Sequence, residues 1–179
     1  EFKTKKKILD QKILITIGSV TERKGQWMVI NALPEILKRN PNTHYYCIGI
    51  PSKEKKFREL AKNLGVDEHV HFLGKLPNQD LPLWTNASDL FLMTSSHTKD
   101  GDFEGFGISV IEAALCGIPA IVSSGEHGLS EAIQAGVTGI AIKENDSQLL
   151  ASEINNLLEN KNELNQLGDA AYKRAVEGF

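Results

Sequence analysis

The 179-residue sequence predicts a single α/β domain, a doubly wound parallel sheet of six strands with helices on both faces. Three observations predict it. Short β-rich apolar runs alternate with longer helical runs along the chain, and strict alternation of strand and helix makes βαβ units. Runs such as "KILITIG" are buried strands, as expected for a parallel sheet covered on both faces. The length suits one domain of ordinary size that can bury a full hydrophobic core.

The elements follow in order. "KILITIG" (12–18) is the first strand, and "GQWMVINALPEILKRN" (25–40) an amphipathic helix ending at Asn-Pro. "THYYCIGI" (43–50) is the second strand, and "KEKKFRELAKNLG" (53–65) a charged surface helix stopped by glycine. "HVHFLG" (69–74) is the third strand, followed by a short helix near "NQDLPLWTNA". "DLFLMTS" (89–95) is the fourth strand, and an apolar helix runs from about Gly107. "IPAIVSS" (118–124) is the fifth strand, then a short helix near "LSEAIQAG" and a sixth strand, "TGIAIK" (138–143). The helices "DSQLLASEINNLLEN" and "ELNQLGDAAYKRAVE" close the chain, with no repeat and no low-complexity segment. The domain is Rossmann-like and occupies 12–179; the basic opening 1–11 is expected as a linker or frayed arm cut from something longer.

Lys and Arg total 20 against 23 Asp and Glu, for a formal net charge of −3 and a pI near 6.0. That balance argues against nonspecific nucleic-acid binding. No apolar run approaches a membrane span and no signal peptide opens the sequence. Cys47 and Cys116 fall inside predicted core elements and are expected as buried reduced thiols, which fits a cytoplasmic protein. The inner face of the membrane is the alternative location.

Open parallel sheets bind ligands at the carboxyl ends of their strands, where the strand order reverses. The loops to weigh are therefore 18–25, 49–53, 74–78, 94–107 and 123–130. In the first, "IGSVTERKG" sets Arg23 and Lys24 just before a helix, where cations oppose the helix dipole. An anion such as phosphate, held by these cations and free N–H groups, reverses that sign. Solvated surface charge is the competing reading for both. Gly25 clears space beside Lys24 and favours function there. The loop is not GxGxxG, which weakens an NAD dehydrogenase reading.

"FEGFGISVIEAALCG" (103–117) poses the sharpest question, because it reads as a helix buried on most sides yet carries Glu112. A buried carboxylate costs several kcal/mol without a partner, so protein or ligand must supply one. Glu104 lies eight residues earlier, roughly 12 Å of helical rise, too far for an adjacent acid/base pair. The two carboxylates are instead spaced to grip hydroxyls at two ends of an extended ligand with phosphates between, as in a nucleotide sugar. Gly105 and Gly107 remove Cβ atoms where a ligand would meet main-chain N–H groups.

Glu104 and Glu112, as E-x7-E within "EGFGISVIEAALCGIPAIVSS", resemble the signature of retaining glycosyltransferases of the GT-B fold, family-four type (glycosyl transferases group 1). "ERKGQWMVINALPEI", "HVHFLGKL", "LWTNASDLFLMTS" and "GLSEAIQAGVTGIAI" resemble that family's C-terminal donor-binding domain in order and spacing. The resemblance implies one half of a GT-B fold that binds a UDP- or GDP-sugar, with no metal and no further cofactor. By it, Glu104 contacts the transferred sugar and Glu112 holds the ribose hydroxyls. Gly105, Phe106, Gly107 and Ile108 line the sugar and phosphates, Lys24 holds the diphosphate beside Gly18, and Gly74 and Lys75 lie near the nucleobase. Relatives usually carry arginine where this sequence has Ser19, so either Arg23 substitutes or the phosphate grip is weaker. The insertion "HTKDGD" also exceeds the shortest family versions.

The resemblance further implies an N-terminal acceptor domain outside this chain, with peripheral membrane association through that domain as an open alternative. The fragment alone is then expected to bind donor weakly and to transfer little. A role in polysaccharide or glycolipid synthesis follows from the same likeness. A sugar phosphorylase or nucleotide-sugar epimerase on the same fold, and a noncatalytic binding module, remain the rivals. Elsewhere bland readings win. His69 and His71 share a face but lack a third ligand. His97 and His127 read as polar surface, Trp27 and Trp84 as core anchors, and Glu131 as a cap or pair within its own helix. No Ser-His-Asp or Cys-His nucleophile system stands out.

Overall fold

Apolar side chains that alternate along each strand divide the core into two layers, one on either side of the sheet. In the computed structural model, which describes residues 1–96, 107–124 and 129–178, the elements run as follows. They are α1 (Phe2–Lys6), β1 (Lys12–Ile17), α2 (Gln26–Arg39), β2 (Thr43–Ile48), α3 (Glu54–Asn63), β3 (Val70–Gly74), α4 (Leu81–Ala87) and β4 (Leu90–Met93). After them come α5 (Ile108–Leu115), β5 (Ala120–Ser124), α6 (Leu129–Ala132), β6 (Gly139–Lys143), α7 (Ser147–Glu159) and α8 (Lys161–Gly178). The six strands form one sheet in the order β3-β2-β1-β4-β5-β6, all pairs parallel. The predicted doubly wound α/β class is the one observed, and the order reverses between β1 and β4.

Leu14, Tyr45, Cys47, Leu90, Leu92 and Ile121 face the layer of α2, α3 and α7. Ile13, Ile15, Tyr46, Ile48, Phe91, Met93 and Val122 face the layer of α4, α5 and α8. That alternation is the period-two pleat, with both faces apolar because helices cover both. Inside the sheet Thr16 is satisfied by Tyr45 Oη at 2.7 Å and by the Leu92 carbonyl at 2.8 Å. Between α2 and α7, buried Asn40 donates to buried Asn155 Oδ1 at 2.7 Å, so the polar groups at this joint are paired.

Two expectations are corrected. Residues 2–6, expected as a linker or frayed arm, are helical; Phe2 packs edge-on against Trp84 at 5.3 Å and Ile8 is buried. Apolar contact outweighs the charge of the lysine run there. Helix α5 is not buried on most sides: Val110, Ile111, Ala113 and Ala114 face inward, but Glu112 is exposed and Ile108 and Leu115 are 71% and 49% exposed. These last three share one face at i, i+4 and i+7. Glu112 therefore bears no burial penalty, and the need for a compensating partner falls away. Cys116, at the C-terminal end of α5, is only half-buried and accepts from Asn86 Nδ2 at 3.5 Å. Burial pushes the Cys47 thiol up to about 12 and raises Cys116, with the Glu112 charge adding to the latter, so both thiols stay protonated.

Candidate functional site

The turn after β1 is built by its own polar side chains. Gln26, fully buried in the first turn of α2, donates to the Ser19 carbonyl at 3.0 Å and accepts from the Thr21 amide at 3.3 Å. Thr21 Oγ1 accepts from the Lys24 amide at 3.3 Å. So folded, the loop lays the Lys24 side chain back over Gly18: a Cβ on Gly18 would lie 3.3 Å from Lys24 Cε and 3.5 Å from Nζ. The ammonium thus sits at the carboxyl end of β1.

The same loop is pinned to the end of β4. Thr94 Oγ1 donates to the Gly25 carbonyl at 2.8 Å, and the Ser96 amide donates to the Arg23 carbonyl at 2.9 Å. Gly25, the residue capping α2, has φ +72°, and a Cβ there would fall 1.8 Å from the Thr94 carbonyl oxygen. Only glycine lets the two loops come this close. Since β1 and β4 flank the reversal in strand order, the contact lies at the switch point where such sheets bind ligands.

The other predicted residues fall around this crest unevenly. Gly18 N–H donates to the Ile48 carbonyl and Gly49 N–H to the Gly74 carbonyl, aligning the ends of β1, β2 and β3. Lys75 is exposed just beyond Gly74. Gly107, with φ +73°, caps α5, Ile108 opens it, and Glu112 follows one turn later on the exposed face. Ser19 takes part through its carbonyl, and Arg23 through its carbonyl to β4. Glu104, Gly105 and Phe106 lie outside the described residues, as do His97 and His127. Glu131 is exposed, and its carbonyl accepts from Arg174 Nη2 at 2.8 Å.

The anticipated histidine pair is a trio, because β2 contributes His44. His44 Nδ1 lies 2.9 Å from His71 Nε2, and the two rings stack at 5.2 Å. His69 Nδ1 lies 2.9 Å from the Thr43 carbonyl. Burial and then the neighbouring His71 hold His44 down to about 4, and burial lowers His71 as well. Among the described residues, no group of three or more His, Cys, Asp or Glu is placed to hold a metal, and no helix is long and apolar enough to cross a membrane. The trio stands at the β2–β3 edge, away from the switch point.

The chain also resembles known proteins. The chain is 30% identical over 171 residues to the GDP-mannose-dependent alpha-(1-6)-phosphatidylinositol monomannoside mannosyltransferase of Mycolicibacterium smegmatis, covering 95% of this chain and 44% of that protein. It superposes on Anabaena HepE in complex with UDP-glucose with a TM-score of 0.87 at 25% identity, over 99% of this chain and 47% of that one. The C-terminal domain of the glycosyl transferase group 1 protein LpcC from Francisella tularensis shares the fold, with a TM-score of 0.86 at 22% identity and coverage of 99% and 90%. The chain thus spans less than half the length of the mannosyltransferase it matches. Residues 1–174 match the family described as glycosyl transferases group 1, and the chain belongs to that family.

Proposed function

We propose that this chain is the donor-binding half of a retaining glycosyltransferase, which moves a sugar from a UDP- or GDP-sugar to a glycan, lipid or small-molecule acceptor. One observation carries the reading: the Lys24 ammonium lies over Gly18 at the switch point, in a loop fixed to β4 by Thr94 and Ser96. A cation placed there by a buried scaffold suits a diphosphate. The glycosidic bond breaks with its electron pair passing to the diphosphate oxygen. Lys24, with Arg23 in the role that Ser19 cannot fill, stabilises that developing charge.

By the family resemblance Glu112, which is exposed on α5, takes the ribose hydroxyls, and Gly107, which caps α5, lines the phosphates. The roles of Glu104 toward the sugar and of Gly105 and Phe106 toward the phosphates rest on the same resemblance. Support for the donor class comes from two matched proteins, one GDP-mannose-dependent by name and one solved with UDP-glucose. The acceptor would be read by the part of such proteins that this chain does not span. The test is a thermal-shift panel of UDP-, GDP- and ADP-sugars, since a ligand that binds only the native state raises its melting temperature. At least one UDP- or GDP-sugar should raise it at millimolar concentration; no shift with any of them refutes the reading. Ser19 favours a second reading, a noncatalytic module with a weakened phosphate grip, and Ser19→Arg tightening nucleotide diphosphate binding would support it.

A further inference from the structure

Among the described residues, one buried side-chain polar atom has no hydrogen-bond partner: Ser95 Oγ. Ser95 is 4% exposed and lies two residues past the end of β4, at the switch point. Its carbonyl and both of its neighbours are held. Thr94 Oγ1 grips the Gly25 carbonyl, the Ser95 carbonyl accepts from Ser123 Oγ, and the Ser96 amide donates to the Arg23 carbonyl. Phe91 and Met93 face the α5 layer, whereas Leu90 and Leu92 face that of α2, and Thr94 duly meets the start of α2.

A buried hydroxyl without a partner costs about 1–3 kcal/mol, a cost that a folded protein seldom leaves uncompensated. Resting on the donor-site reading above, we propose that Ser95 is a further donor-binding residue, whose Oγ–H donates to a phosphoryl oxygen of the nucleotide diphosphate. Its position suits the role, because its neighbours Thr94 and Ser96 bond to the Gly25 and Arg23 carbonyls on either side of Lys24. The hydroxyl acts as a preorganised neutral donor.

Calorimetric titration of this chain with UDP and with GDP tests it, on the wild type, Ser95→Ala and Ser95→Cys. A hydrogen bond to a charged acceptor predicts that both variants bind the preferred diphosphate about ten- to a hundred-fold more weakly. Their melting temperatures should be unchanged or slightly higher. Wild-type binding with undiminished affinity in both variants overturns the Ser95 contact and leaves the donor site standing. A melting temperature lowered by several degrees in both variants also overturns it, since the hydroxyl would then serve the fold. A wild type that binds neither diphosphate refutes the donor-site reading, and the Ser95 contact with it.

Discussion

Replacing Gly25 by alanine tests the joint that forms the site. The new Cβ would sit 1.8 Å from the Thr94 carbonyl oxygen and 2.7 Å from Thr94 Oγ1, so the β1 and β4 loops must part. A left-handed residue other than glycine costs about 1–2 kcal/mol, forced overpacking about 1–3, and the lost Thr94–Gly25 hydrogen bond about 1. Together these predict a loss of roughly 3–6 kcal/mol, a large share of a stability of about 5–15. Gly65 supplies the control: its φ is +67°, but nothing lies within 4 Å of a Cβ there, so alanine should cost only the left-handed term. Urea unfolding followed by circular dichroism measures both variants, with the midpoint shifting and the slope held. If Gly25→Ala falls within about 1 kcal/mol of Gly65→Ala, the close approach of the two loops is not what holds the site.

Glu112→Ala should weaken binding of the preferred nucleotide diphosphate by about 1–3 kcal/mol in calorimetry, while leaving the melting temperature unchanged because the carboxylate is exposed. Acid should destabilise the fold through the histidine trio. His44 is held down to about 4, so the unfolded chain takes up a proton near pH 6.5 that the folded chain refuses. Stability is therefore full above about pH 6.5 and falls as pH drops toward 4, by about 1–2 kcal/mol once partial exposure is allowed for. His44→Gln should flatten that profile in urea titrations at successive pH values. Trp84→Ala, which strips Phe2 and Tyr46 of their ring partner, should cost about 3–5 kcal/mol of unfolding free energy, and a loss under about 1 would contradict the account of α1 and α4.

The sheet was legible in the sequence because each strand is a short apolar run bounded by glycine, proline or polar turns, as "KILITIG" and "TGIAIK" show. The cation at the first loop was also legible, since Lys24 and Gly25 are neighbours in the chain. What holds that loop was not. Thr94 and Gly25 stand 69 residues apart, and no local pattern pairs them. Gln26 left a faint signal, a polar residue on the inward face of an otherwise apolar first turn. Helix α5 misled because a nearly all-apolar helix does not disclose which face the fold leaves open, and Ile108 and Leu115 are exposed despite their type. His44 escaped because its contact with His71 depends on how β2 and β3 pair, which period-two patterns in single strands do not specify.

Calorimetry with UDP and GDP on the wild type and Lys24→Ala reaches the central assignment most directly. The account predicts saturable binding of at least one of the two, and about ten- to a hundred-fold weaker binding in the variant with its fold intact by circular dichroism. A wild type that binds neither at millimolar concentration, or a Lys24→Ala variant that binds as tightly as the wild type, would contradict it.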